Sequence, residues 1–119
     1  MIVDKLIDKI KEYDNPTVAG LDTSFDYLPE DMRAGVKDFK GAAEAILAFN
    51  KKIIDDICDI VPCVKVQIAY YEMYGIEGMR AFAETLRYAS EKGMFVMTDA
   101  KRNDIGATAE CYAKAYLGE

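Results

Sequence analysis

Apolar residues along the chain fall into segments of two alternating kinds. Ile2, Val3, Leu6, Ile7 and Ile10 recur at three- and four-residue spacing, the period of a short amphipathic helix. The helix should stop before Asn15-Pro16, because a residue that precedes proline is steered away from helical backbone. Residues 17–21 (TVAGL) form a brief unbroken apolar run ending at Asp22, which predicts a buried strand. The polar, proline-containing stretch from Thr23 to about Lys40 predicts a loop. From Ala42 to about Ile60 a helical period returns in Ile46, Leu47, Phe49, Ile53, Ile54 and Ile57, and Pro62 then marks the turn into a second strand, residues 63–68. Residues 76–92 repeat the helical pattern with Met79, Phe82, Ala83, Leu86 and Ala89 on one face. Gly93 stands where a left-handed residue would end that helix, and the run MFVMTDA makes a third strand. After Asn103-Asp104, residues 108–117 combine strong helix formers with Tyr112, Ala113 and Tyr116 at helical spacing.

The order is therefore one helix followed by strand and helix three times, with no linker, repeat or low-complexity segment. Strands that alternate with helices and read as continuous apolar runs, lacking a polar face, belong to a parallel sheet covered by helices, so the class is α/β. Three strands are few for such a sheet, and a (β/α)8 barrel takes about 250 residues. Residues 1–119 are expected to form a single incomplete domain, the N-terminal portion of a TIM barrel or one part of a split one.

Composition narrows the chemistry. A formal charge of -6, from 21 acidic and 15 basic residues, argues against capture of nucleic acid or an anionic membrane, so an anionic substrate would need a local basic site. The chain has no histidine, which removes Ser-His-Asp and Cys-His catalysis and every histidine-ligated metal. Acid–base work falls to Asp, Glu, Lys or Tyr. Cys58, Cys63 and Cys111 make neither an even framework nor a CxxC pair, and read as free thiols in a reducing compartment, serving as small buried apolar side chains. No stretch reaches the roughly 18 apolar residues of a membrane span, and charges interrupt the N-terminal segment too often for a signal-peptide core. A cytoplasmic location is expected.

Ligands of parallel α/β folds bind at the carboxyl ends of the strands. Those ends carry charge in this chain: Asp22 after the first, Lys65 within the second, Asp99 and Lys101 at the third, and Asp104 in the loop behind. Asp99 and Lys101 are two residues apart, which in extended chain puts them on the same side of the sheet. Any one of these alone would be an ordinary surface charge. Together at the ends of successive strands they make a candidate site, because clustered ionic groups are costly to hold and are seldom kept for stability.

The run DAKRNDIG, with Thr108 four residues after its second Asp, resembles the Asp-x-Lys-x-x-Asp-Ile signature of orotidine 5′-phosphate decarboxylases. AGLD at the first strand end and VKVQIAYYEMYG at the second resemble other segments of that family's longer bacterial and archaeal branch, so the likeness runs over nearly the whole chain. The resemblance implies conversion of orotidine 5′-phosphate to UMP and CO2 in de novo pyrimidine biosynthesis, with no cofactor and no metal. It implies that Asp22 and Lys65 engage the ribose hydroxyls, that Asp99 lies against the substrate carboxylate, and that Lys101 delivers a proton to C6. Asp104 and Thr108 would reach into the partner's site in a homodimer, and Ile105 would line the base pocket.

The sequence departs from the family pattern in two respects. Thr23 follows Asp22 where relatives often have proline, and no segment matches the arginine-bearing loops that grip the phosphate, so the chain by itself is expected to be nearly inactive. Two alternatives stay open. The Asp-x-Lys-x-x-Asp pattern is shared with Mg2+-dependent sugar-phosphate decarboxylases and hexulose-phosphate synthases, although VKVQIAYYE favours the first reading. A self-associating, non-catalytic half-barrel is the other. Tyr70, Tyr71 and Tyr74 could stack a base, but tyrosines so near a strand end suit core and rim packing better. Gly75, Gly78 and Gly106 fit turns and close packing, and Gln67 and Glu72 stay outside the catalytic set.

Overall fold

The structure, a computed structural model, describes residues 1–118. Helix α1 (Ile2–Tyr13) leads into strand β1 (Val18–Gly20), a 3₁₀ turn (Phe25–Tyr27) and the short helix α2 (Glu30–Arg33). Helix α3 (Phe39–Ile57), strand β2 (Cys63–Gln67), the single turn α4 (Ala69–Glu72) and helix α5 (Gly75–Glu91) follow, and strand β3 (Phe95–Asp99) and helix α6 (Gly106–Leu117) complete the order.

The three strands pair in parallel in the order β1-β2-β3, the arrangement expected of successive βα units. Extents of 46 × 41 × 18 Å leave room in the thin direction for one sheet and one layer of helices. The core lies between them. Val64, Val66 and Ile68 of β2 and its extension meet Ile46 and Ile54 of α3 and Ala81, Phe82 and Ala89 of α5, all buried. Alternation along β2 turns Lys65 and Gln67 to the opposite face, which no helix covers as fully.

The loop expected over residues 23–40 holds more structure than its polarity suggested. Leu28 is buried, and Met32 and Val36 pack against the core, so a few apolar anchors fold the stretch into the 3₁₀ turn and α2. Helix α3 begins at Phe39, ahead of the apolar period, because the Asp38 side chain accepts a hydrogen bond from Gly41 N at 2.8 Å and caps its start. The turn α4 had no periodic signal at all. Along α5 the buried stripe is Gly78, Ala81, Phe82, Thr85 and Ala89, while Ala83 faces outward. Gly93, at φ 79°, ends α5 as expected.

Among the glycines, Gly78 stands closest to its surroundings. A Cβ there would stand 1.8 Å from the carbonyl oxygen of Tyr71, so only glycine lets α5 lie against α4. Tyr71 and Tyr74 are buried and Tyr70 half-buried, which agrees with core and rim packing. The cysteines are free, but only Cys63 is buried: Cys58 is half-buried and Cys111 exposed on α6. That helix has no buried residue, with Tyr112 half-buried and Ala113 and Tyr116 exposed, because nothing among the described residues covers the face its period predicted.

Candidate active site

Register brings the charges together. Strand β2 pairs Lys65 with Gly20 of β1 and Met97 of β3, and Gln67 with Asp99, so Lys65, Gln67 and Asp99 share the face away from the helices. Asp22 lies two residues past β1. Lys65 Nζ stands 3.7 Å from Asp99 Oδ2 and 4.0 Å from Asp22 Oδ2, distances of charge pairing rather than of hydrogen bonds. Lys101 Nζ donates to Asp99 Oδ1 at 2.7 Å, and Gln67 Nε2 donates to Asp99 Oδ2 at 2.7 Å. The Lys101 hydrogen bond holds the Asp99 carboxyl below the usual carboxylate range, helped by the charges of Lys101 and Lys65 and opposed by partial desolvation.

Lys101 reaches Asp99 by a different route from the one its spacing implied. It lies beyond the end of β3 with φ 50°, in the left-handed region that costs a non-glycine residue about 1–2 kcal/mol. The next residue clamps the bend. Arg102 donates from Nη1 to the Ala100 carbonyl at 2.9 Å and pairs through Nη2 with Glu72 of α4. Gln67, left outside the set on sequence, does have a signal, since period-two alternation from Lys65 places it on the same face. The Glu72–Arg102 pair spans 30 positions and left no mark in the sequence.

Asp22, Lys65, Asp99 and Lys101 thus form one array of alternating sign. Asp104, Ile105 and Thr108 are not brought into it. All are exposed, and Asp104 Oδ1 accepts from Ile105 N at 2.8 Å at the start of α6. Beside the array a cleft of about 500 Å³ opens between the β3 end and α6, lined in part by Lys101, Arg102, Asp104, Tyr112 and Tyr116. Among the described residues no three His, Cys, Asp or Glu side chains gather as a metal site, and no helix is long and apolar enough to cross a membrane.

The family model described as "Orotidine 5'-phosphate decarboxylase / HUMPS family" matches residues 32–119. The chain belongs to this family. An orotidine 5′-phosphate decarboxylase of Clostridium perfringens (strain SM101 / Type A) is 47% identical over 117 residues, which cover 98% of this chain and 39% of the relative. The corresponding protein of Clostridium acetobutylicum is also 47% identical, over 98% of this chain and 40% of its own. Among solved structures, Leishmania donovani OMP decarboxylase superposes with a TM-score of 0.73 at 27% identity, covering 98% of this chain and 39% of that one. The three βα units are accordingly part of a decarboxylase-family TIM barrel, and the chain spans about 39% of the length of the curated relatives it matches.

Proposed function

We propose that the strand-end array is the ribose-binding and proton-donating part of an orotidine 5′-phosphate decarboxylase site in pyrimidine biosynthesis. The observation that carries this reading is the convergence on Asp99 of Lys101 at 2.7 Å and Lys65 at 3.7 Å, in a chain of that family. With the substrate bound, its carboxylate lies against Asp99. Two unit charges 4 Å apart repel by about 4 kcal/mol at an effective dielectric of 20, which raises the ground state before reaction. The bond from C6 to the carboxylate breaks, CO2 leaves, and the electron pair stays on C6. Lys101 stabilises that developing charge and then gives its proton to C6, becoming an amine that solvent reprotonates. No cofactor takes part in these steps.

Asp22 and Lys65 hold the ribose hydroxyls, and Ile105 lines the base pocket. Asp104 and Thr108 serve the partner's site in a homodimer, a role supported by their exposure and by the absence of Asp104 from its own array. Phosphate binding falls to loops that no segment of this chain matches. The test is the absorbance change on loss of orotidine 5′-phosphate, measured for this chain alone and for a full-length hybrid in which it replaces the matched segment of the Clostridium perfringens relative. Turnover by the hybrid without added metal, and almost none by the chain alone, is expected. A folded hybrid that ignores orotidine 5′-phosphate and acts on a sugar phosphate only with Mg2+ would sink the assignment.

A further inference from the structure

Behind the array, between the sheet and the helices, lies a buried polar cluster that the chemistry above does not use. Asn50 of α3, Tyr71 of α4 and Thr85 of α5 are fully buried, and Thr23 is 6% exposed. Asn50 Nδ2 donates to the Tyr71 hydroxyl at 2.8 Å and to Thr85 Oγ1 at 3.2 Å, and Thr85 Oγ1 donates in turn to the Ala81 carbonyl at 2.8 Å. Two bonds leave the cluster toward the end of β1. The Tyr71 hydroxyl donates to the Leu21 carbonyl at 3.0 Å, and Thr23 Oγ1 donates to Asn50 Oδ1 at 2.7 Å. The residues on either side of Asp22 are therefore tied to the same Asn–Tyr pair.

Asp22 needs such a tether. Strand β1 is only three residues long, and the bond from Leu21 N to the Lys65 carbonyl extends its ladder by a single residue, short of Asp22. The carboxylate is not fixed by its own contacts either: Lys65 stands 4.0 Å from Oδ2, and Oδ1 has no hydrogen-bond donor among the described residues. An apolar core of the same volume would hold the helices at least as well, since satisfied buried polar groups add specificity of geometry more than net stability. We propose that Tyr71, bonded to the Leu21 carbonyl, and Thr23, bonded to Asn50, are positioning residues that aim the Asp22 carboxylate at the ribose and so set the preference for a nucleotide that carries both ribose hydroxyls over one that lacks either. The inference deepens the reading of Asp22 as a ribose-hydroxyl acceptor and rests on it. Burial pushes the Tyr71 hydroxyl up to about 12, so it remains a donor through the neutral range.

Calorimetric binding of UMP, 2′-deoxy-UMP and 3′-deoxy-UMP to the full-length hybrid, with Tm measured alongside, separates positioning from packing. The parent hybrid should favour UMP, and Asp22→Asn should erase the preference for at least one hydroxyl. Tyr71→Phe and Thr23→Val should each lose about tenfold of that same preference, the scale of one hydrogen bond to a charged group, whereas Thr23→Ser should keep it. Variants that melt earlier but discriminate like the parent would overturn the inference and make the cluster purely structural. Should Tyr71→Phe fail to fold, the Thr23→Val and Thr23→Ser pair decides. A parent that binds UMP no better than its deoxy forms would instead fail the site reading itself, and the inference with it.

Discussion

Asp99 accepts hydrogen bonds from Lys101 and Gln67 with Lys65 close by, so its charge is the most heavily compensated in the array. On the proposed mechanism, removing Lys101 takes away the proton donor and the cation opposite the developing carbanion. In the hybrid enzyme, Lys101→Ala should lower kcat by roughly 10³-fold or more while leaving the fold intact, because Lys101 is exposed and holds nothing in the core. A variant that unfolds while the parent is stable would return the array to a structural role. The same substitution should raise the Asp99 carboxyl toward its ordinary value of 3.8, since the Lys101 hydrogen bond is the largest cause of its depression. The sign follows from linkage. A carboxyl depressed in the folded state contributes stability that is fully present above its unfolded value and is lost as pH falls through the folded one. Lys101→Ala should therefore flatten the loss of stability below about pH 4, and an Asp99 carbon resonance titrating at the same pH in both proteins would refute the assigned cause.

Elements were legible where a period had room to repeat. Helices α3 and α5 and strands β2 and β3 follow from apolar spacing, and the marking charges stand where the sequence puts them, Asp22 just past β1, Lys65 inside β2 and Asp99 at the end of β3. Four residues of α4 cannot show a 3.6-residue period, and the start of α3 is set by Asp38, a polar residue outside the apolar pattern. Ala83 reads as inward-facing by spacing although alanine suits either face of a helix, while Asn50, four residues from both Ile46 and Ile54, is hidden on the buried stripe by its polarity. Gly78 is a packing requirement that spacing hints at but distance decides. Gly78→Ala would drive a methyl into the Tyr71 carbonyl, and since backbone cannot yield as a flexible side chain can, it should cost about 1–3 kcal/mol or more. Thermal melts should show a Tm several degrees lower, whereas Ala83→Ser on the exposed face of the same helix should barely move it. Equal effects at the two positions would mean that α4 and α5 are not in the close contact described.

At the scale of the whole molecule, three parallel strands and one helix layer leave β1 and β3 as sheet edges, and leave Ile105 and Leu117 at 85% and 84% exposure. Unpaired edges and open apolar faces of this kind are completed in a closed barrel by further βα units, and across a dimer by the partner's surface. On the dimer reading, Asp104 belongs to the second contribution, and subunit mixing tests this. If Asp104 acts in its own subunit, each subunit of a mixed dimer carries one lesion in its own site, so no site is intact however subunits are mixed. If it acts in the partner's site, a mixed dimer of one Lys101→Ala subunit and one Asp104→Ala subunit keeps one intact site and concentrates both lesions in the other. Two inactive hybrid homodimers, unfolded together and refolded at equal concentration, should then recover about a quarter of parental activity, since half the dimers are mixed and each has one working site of two. Activity measured before and after exchange decides the matter. Recovery to that level supports donation of Asp104 across a two-fold interface, and none, with mixed dimers confirmed by mass, would place Asp104 in its own subunit's chemistry.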